Sequence, residues 1–308
     1  GLILELMGKT SGTCSGIGSS QHLFNKNFFS NGIQGGIVPV AAGLAFAAKK
    51  ENKSAIGIVF IGDGTLGEGV VYETLNLISL LNIPLLIVCE NNKYAQSTKI
   101  ENSLSGDILS RPKAFGIKTF HSNTWDLDAL FSDAINSVNF VKNGKPAFHL
   151  VDTYRLNHHS KSDDNRNIEE VAKYALIDPL NVFKNNAPDL YKSMLKEVDQ
   201  EISLIIKDAG TSNELEGSNY HTDVKFQRSQ KYDNLENLND RVVNRINLFF
   251  DTILQKDEKA LFIGEDILSP YGGAFKVAKD LSLKYPDKVI STPISEAGIT
   301  GLTNGLAL

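Results

Sequence analysis

The stretch Ala55-Ile56-Gly57-Ile58-Val59-Phe60-Ile61-Gly62-Asp63-Gly64-Thr65, with its continuation at Leu85-Leu86-Ile87-Val88-Cys89-Glu90-Asn91-Asn92, decides the fold. The run 55–61 is apolar and of strand length, and it stops at glycine, aspartate, glycine. From Thr65 to Leu81 the apolar residues Val70, Val71, Leu75, Ile78 and Leu81 recur at helical intervals, so a helix is expected from about Thr65. The second apolar run follows Pro84 and reads as the next strand. The result is a strand–turn–helix–strand unit, with Asp63 ending one strand and Asn92 the next. Ligands of parallel sheets bind beyond the carboxyl ends of the strands, so both side chains fall on one rim.

These residue types suit a metal-bound diphosphate. Magnesium takes hard oxygen ligands, typically one or two protein groups with phosphates and water. Asp63 offers a carboxylate and Asn92 an amide oxygen. Gly62 and Gly64 let the turn bend and let backbone approach a phosphate, and a helix N-terminus favours an anion. Gly-Asp-Gly alone equally fits an ordinary tight turn; the flanking strands and the paired asparagines favour the ligand reading.

Composition narrows the classes. A chain of 308 residues predicts about two domains, and 42% hydrophobic residues suffice for a core. The net charge of −5, with no basic tract, argues against nucleic-acid binding. No run of 18 apolar residues predicts a membrane span. Cys14 and Cys89 give no disulfide or zinc framework. With Cys89 in an expected buried strand and no visible signal peptide, a reduced, cytoplasmic protein is expected. Residues 1–160 alternate strand and helix, the pattern of a doubly wound parallel α/β sheet. Residues 168–206 read as helical, with Met194, Leu195, Val198, Ile202 and Ile205 on one side of the last helix. The expected domains are 1–206, a polar linker 207–239, and a second α/β domain from 240 to 308 whose first helix carries Val242, Val243, Ile246, Phe249, Phe250 and Ile253.

Gly62-Asp63-Gly64 followed after 26 residues by Asn91-Asn92 resembles the thiamine diphosphate motif. The string Cys89-Glu90-Asn91-Asn92-Lys93-Tyr94-Ala95-Gln96-Ser97-Thr98 resembles the alpha part of the 2-oxoacid dehydrogenases, the decarboxylating first component of those complexes. The resemblance implies that Asp63, Asn92 and the Tyr94 carbonyl bind magnesium, and that Gly62, Gly64 and Thr65 border the diphosphate. The segment from His22 to Pro39 matches the same family and implies that backbone at Gly32 and Gln34 contacts the aminopyrimidine ring. Gln34 replaces the valine common there. The helix after Pro39, Ala41-Ala42-Gly43-Leu44-Ala45-Phe46-Ala47-Ala48, also fits any tightly packed helix.

Two further matches lie downstream. Tyr154-Arg155-Leu156-Asn157-His158-His159-Ser160-Lys161-Ser162-Asp163-Asp164 is a polar loop with groups titrating near neutrality. Surface histidines are often inert, but the resemblance implies that His159 faces the cofactor and handles protons during acyl transfer. The second match resembles the start of the beta part. Leu261-Phe262-Ile263-Gly264-Glu265-Asp266 reads as a strand, Tyr271-Gly272-Gly273-Ala274-Phe275-Lys276-Val277 is expected to open a helix, and Thr292-Pro293-Ile294-Ser295-Glu296 leads to Gly298, Gly301 and Gly305. Those glycines share a face if the segment is helical, so another helix could approach closely. A lone glutamate at a helix start also serves as a cap or dipole partner; the resemblance implies instead that Glu296 hydrogen-bonds the pyrimidine ring and promotes proton loss from the thiazolium carbon. Glu265 is either a second acid near the substrate or a solvated strand end.

The resemblance thus implies decarboxylation of a 2-oxoacid, with acyl transfer to the lipoyl group of a partner acyltransferase. Thiamine diphosphate and Mg2+ are the implied cofactors, and a homodimer is expected, with alpha and beta parts fused. The Tyr94-Ala95 and double-histidine patterns look closer to the branched-chain type than to the pyruvate type; acetoin-type relatives also fit. A transketolase-like enzyme and a non-catalytic assembly module of the same fold are the alternatives. Both ends read as cut, with the family's diphosphate-gripping Tyr-Arg pair lacking, so the chain is expected to be a fragment.

Overall fold

The computed structural model describes residues 1–51, 53–160, 164–215 and 240–308. The chain divides into two compact units, Gly1–Leu215 with Thr300–Leu308, and Glu216–Ile299.

The first unit opens with a short helix α1 (Leu2–Leu6) and a two-stranded hairpin, β1 (Phe24–Asn25) and β2 (Phe28–Phe29). Helix α2 (Gln34–Lys50) leads into strand β3 (Gly57–Gly62), helix α3 (Gly69–Leu80) and strand β4 (Leu85–Asn91). Helix α4 (Ser110–Ala114), strand β5 (Lys118–Asn123), helix α5 (Leu127–Lys142) and strand β6 (Ala147–Asp152) follow. The four strands form one parallel sheet in the order β3-β4-β6-β5. β4 and β6 are central, and their near-continuous apolar runs are buried, as a strand covered on both faces requires. Right-handed crossovers explain the cover. The chain moves one way from β3 to β4 and the other way from β5 to β6, so α3 and α5 lie on opposite faces. Leu86 and Val88 pack with Val141 of α5, Ala147 and Val151.

The expected helix from Thr65 begins later. Residues Asp63–Gly67 make a 3-10 turn, Glu68 is extended, and α3 starts at Gly69. The expected helical stretch 168–206 is three helices, α6 (Ile168–Ile177), α7 (Pro179–Asn186) and α8 (Pro188–Gly210). Each break is a proline taken into the first turn of the next helix, where its missing N–H costs nothing. The Asp178 carboxylate caps α7 by accepting from Leu180 and Asn181 N–H, each at 3.1 Å. The linker does not begin at 207. α8 runs to Gly210, Thr10 N–H donates to Asn213 O at 3.1 Å, and Lys9 Nζ pairs with Glu214 Oε1 at 3.1 Å. The rest of the expected linker, 216–239, lies outside the described residues. The predicted stripe Met194, Leu195, Val198, Ile202 and Ile205 of α8 is exposed.

In the second unit, helix α9 (Val242–Lys256) precedes strand β7 (Phe262–Glu265), helix α10 (Leu281–Lys284) and strand β8 (Val289–Thr292), and β7 and β8 pair in parallel. Leu254, Ile267, Ala278, Leu281 and Val289 form its core. The expected helix at Tyr271 is absent. Gly272 and Gly273 take φ of +71° and +76°, outside the helical region, and Phe275 also turns left-handed. Helix α11 (Glu296–Ala307) begins in this unit, and its last residues, from Thr300, belong to the first. The boundary at 240–308 therefore does not hold for the final turns.

Of the expected glycine face, Gly301 and Gly305 pack against α2. A Cβ on Gly305 would lie 2.0 Å from Val40 O, one on Gly301 2.4 Å from Pro39 Cγ, and one on Gly43 2.1 Å from Leu302 O. The α2 and α11 backbones approach as closely as they do because no side chain intervenes. Gly305→Ala is therefore expected to cost about 1–3 kcal/mol by overpacking. Gly69→Ala, where a Cβ meets open space, is expected to be near neutral. Denaturant unfolding of both variants checks this.

His149 is buried, with its Nε2 2.6 Å from Ser122 Oγ and its Nδ1 3.4 Å from Ser137 Oγ. Burial holds its pKa below the ordinary value. The unfolded chain then takes up a proton near pH 6.5 that the fold refuses, so stability falls as pH drops below about 6.5. Chemical denaturation between pH 5 and 7 is expected to show this slope reduced in His149→Gln.

Candidate functional site

The site is built on the carboxyl ends of β3 and β4. Asp63 follows β3 directly and is 1% exposed. Its Oδ1 accepts the Gly64 N–H at 2.8 Å, while Oδ2 is buried with no hydrogen-bond partner among the described residues. Burial pushes the Asp63 pKa up, against the opposing pull of the Gly64 and Lys93 backbone amides. A buried carboxylate with one bare oxygen is costly unless a cation or donor completes it. Its position suits a cation ligand.

The loop after β4 closes on the same turn. Asn92 Oδ1 accepts the Tyr94 N–H at 3.0 Å, and Lys93 between them takes φ of +69°. A Cβ on Gly64 would stand 2.9 Å from Ala95 Cβ, so glycine is what allows the two loops to touch. The N-terminus of α2 forms the third wall. Gln34 Oε1 accepts from Thr65 Oγ1 at 2.5 Å, so its side chain ties α2 to the Asp63 turn. This is the physical use of the Gln34 side chain. Glu68 Oε1 accepts the Gly35 N–H at 2.9 Å, a carboxylate placed against the first turn of a helix. Gly32 lies just before α2, beside Gln21 and His22. The structure thus brings Gln34, Gly62, Asp63, Gly64, Thr65, Asn92 and Tyr94 together.

The loop after β6 carries His158 and His159, both exposed. Lys161, Ser162 and Asp163 lie outside the described residues. The loop is gripped from its far side by Arg166. Its Nη2 donates to Asn157 O at 3.0 Å and its Nη1 to Arg155 O, while Nε and Nη2 form a fork on Asp164 at 2.8 and 2.5 Å. The guanidinium lies over the rings of Tyr94 and Tyr154, 5.6 and 5.1 Å from their centroids. Arg155 Nη2 donates to Gln96 O at 2.8 Å, joining this loop to the one after β4.

In the second unit, Glu265 ends β7 and its Oε1 accepts the Ser295 N–H at 2.9 Å. This bond fixes the residue before Glu296, which opens α11. Glu265 is therefore neither free nor merely solvated; it shapes the entry to that helix.

Comparison with known proteins decides the family. The family model for the dehydrogenase E1 component matches residues 1–219. The chain belongs to the dehydrogenase E1 component family. It is 35% identical over 218 residues to the pyruvate dehydrogenase E1 component subunit alpha of Rickettsia felis, covering 68% of this chain and 67% of that one. It is 31% identical over 239 residues to the same subunit of Rhizobium meliloti, covering 73% and 69%. The bovine mitochondrial somatic form is 30% identical over 217 residues, covering 68% and 55%. Among solved structures, transketolase from Campylobacter jejuni aligns with 91% of this chain and 46% of its own, at TM-score 0.52 and 16% identity. That likeness shows the fold, and the chain spans about half of the transketolase. As an E1 component, the chain carries an α/β parallel-sheet fold of the thiamine diphosphate type.

Sequence reading missed Glu68, Arg166 and Glu170. Glu68 reads as an ordinary residue of the expected helix from Thr65, while its partner Gly35 stands 33 positions away. Glu170 acts through tyrosines 76 and 16 positions away, and Arg166 through Asp164 and carbonyls up to 11 positions back.

The bare Asp63 oxygen predicts a trade-off. Its folded pKa is raised, so the stability this group contributes is present below the unfolded value near 3.9 and is lost as pH rises through the folded pKa. Asp63→Asn removes the buried charge. The ligand-free variant is expected to be more stable at pH 7 by about 1–3 kcal/mol, measured by denaturant unfolding of both proteins.

Proposed function

We propose that this chain forms the cofactor-binding half of a thiamine diphosphate-dependent 2-oxoacid dehydrogenase, with the diphosphate and Mg2+ held on the rim of β3 and β4. The observation that carries this is the Asp63 carboxylate, nearly fully buried with Oδ2 unpartnered, in a Gly-Asp-Gly turn against the Asn92 loop. Among the described residues no group of three or more His, Cys, Asp or Glu side chains could hold a metal ion. A magnesium site here therefore draws on one carboxylate, the Asn92 amide oxygen, the Tyr94 carbonyl and phosphate oxygens, a donor set that Mg2+ accepts.

The remaining roles rest on the family resemblance: Gly62, Gly64 and Thr65 would border the diphosphate, and backbone at Gly32 and Gln34 would contact the aminopyrimidine ring. By the same resemblance, Glu296 would hydrogen-bond a ring nitrogen of the cofactor's pyrimidine, and His159, on an exposed loop, would move protons during acyl transfer. When bound, the cofactor supplies an electron sink for the bond that releases carbon dioxide. An oxidised lipoyl group on a partner acyltransferase would accept the acyl group and be reduced in doing so. The exposed apolar sides of α8 and α9 support assembly, with a second copy as the expected partner. The relatives are named for pyruvate, while the Tyr94 and double-histidine patterns favour a branched-chain substrate. Fusion with a beta part rests on the segment from 240 onward.

Calorimetric titration of the intact protein with thiamine diphosphate is expected to show binding only with Mg2+, and none in Asp63→Ala. Loaded protein should then reduce an artificial electron acceptor with pyruvate or a branched-chain 2-oxoacid, the faster substrate naming the class. Well-folded protein that binds no cofactor overturns the reading in favour of an assembly module.

A further inference from the structure

The loop that carries Tyr94 and the loop that carries His159 meet on one carboxylate. Glu170 lies on α6, in the first turns of that helix. The Tyr94 hydroxyl donates to Glu170, 2.9 Å from Oε2 and 3.0 Å from Oε1, and the Tyr154 hydroxyl donates to Oε1 at 3.1 Å. Tyr94 is 4% exposed and Tyr154 9%. Both hydroxyls are out of water, and Glu170 is the acceptor they share. Tyr94 is held at two points. Its N–H is fixed by Asn92 Oδ1 and its ring by Glu170. The Tyr94 carbonyl belongs to the following peptide, whose Ala95 N–H donates to Thr98 O at 3.0 Å; with the residue pinned on both sides and by its ring, that carbonyl has little freedom of direction. Tyr154 immediately precedes Arg155, where the histidine-bearing loop begins.

The rest of α6 reinforces the same anchor. Tyr174 stacks on Tyr154 with centroids 3.9 Å apart and on Trp125 at 5.5 Å. Lys93 Nζ donates to the Tyr174 hydroxyl at 2.9 Å. One helix therefore touches the loops that follow β4, β5 and β6, and Glu170 is its charged contact with two of them.

We propose that Glu170 is a positioning residue for the metal loop: by accepting from Tyr94 and Tyr154 together, it orients the Tyr94 carbonyl and locks the start of the His159 loop to it. This rests on the proposed cofactor site and assigns that site a support that reaches the metal only through Tyr94. Groups behind a metal ligand that fix its orientation typically change metal affinity by about 10–100-fold when removed.

The test uses the intact protein, at saturating thiamine diphosphate, with Mg2+ titrated and binding followed by calorimetry, beside thermal unfolding of each ligand-free variant. Glu170→Ala is expected to raise the Mg2+ concentration for half-saturation at least about tenfold. Tyr94→Phe should do the same, and the double variant should be no worse than Glu170→Ala, because Tyr94→Phe removes a contact that Glu170→Ala already breaks. Glu170→Gln, which can still accept from one hydroxyl and donate to the other, should recover most of the affinity. Glu169→Ala, one residue away and exposed, is the control and should bind as wild type. A Glu170→Ala protein that unfolds at a lower temperature yet binds Mg2+ as wild type overturns the inference and leaves the cofactor site standing. Wild-type protein that binds no thiamine diphosphate overturns the site itself, and the inference with it.

Discussion

The buried Asp63 carboxylate is the constraint around which the first unit is arranged. An ionised carboxylate that is 1% exposed, with one oxygen satisfied by a backbone amide and the other bare, is a local loss to the fold. Everything close to it limits that loss or prepares its use. The Gly64 amide solvates one oxygen, Thr65 is tied down by Gln34, and the second loop is brought near only because Gly64 has no Cβ. A fold selected for stability alone would place a neutral side chain there. Retaining the acid makes sense where a cation completes it, since binding to the folded state alone adds back what the empty site forfeits.

Helix α2 connects this site to the packing of the whole unit. Its first residue, Gln34, holds the Asp63 turn, and its middle, at Val40 and Gly43, takes the backbone of α11 at distances that exclude any side chain. Gly57 at the start of β3 is likewise filled in by Ala45 and Leu85. Gly43 on one side and Ala41 and Ala45 on the other are therefore small for steric reasons, and they let α2 pack closely while its first residue reaches the Asp63 turn.

How much of this was legible depended on whether the cause was local. The strands of 57–62 and 85–91 were readable because a central parallel strand must be apolar on both faces, and Asp63 and Asn92 were readable because such strands end where their apolar run ends. The start of α3 was misplaced because Glu68 looks like a helix residue, whereas its carboxylate is used by Gly35 on another helix. The helix expected to open at Tyr271 does not form because Gly272 and Gly273 take left-handed backbone. Glu170 was invisible: its two tyrosines stand 76 and 16 positions away, and nothing in an exposed-looking Ile-Glu-Glu-Val helix start distinguishes the paired acid from its solvated neighbour. Propensity and periodicity report what a residue does for its own element, and these residues act for others.

The polar cluster beside the candidate site shows the same logic on the strand ends. Asn91 Nδ2 donates to Asp152 Oδ1 at 2.7 Å, and His121 Nε2 donates to Asp152 Oδ2 at 2.8 Å. Thr153 N–H returns to Asn91 O at 3.1 Å. The three side chains come from β4, β6 and β5, adjacent in the sheet, and they bond at the edge where ladder hydrogen bonds run out. A histidine, an aspartate and an asparagine on a carboxyl rim invite a catalytic reading. The bonding argues for a structural one, because each Asp152 oxygen already accepts from a neighbouring strand end and the histidine spends its Nε2 proton there. The effect of the cluster is to hold the end of β4 in register. Asn92 is the next residue along, and it enters the loop from a strand end that cannot slide. Asn91 bonds across the strand ends, while Asn92 turns into the loop and accepts the Tyr94 N–H.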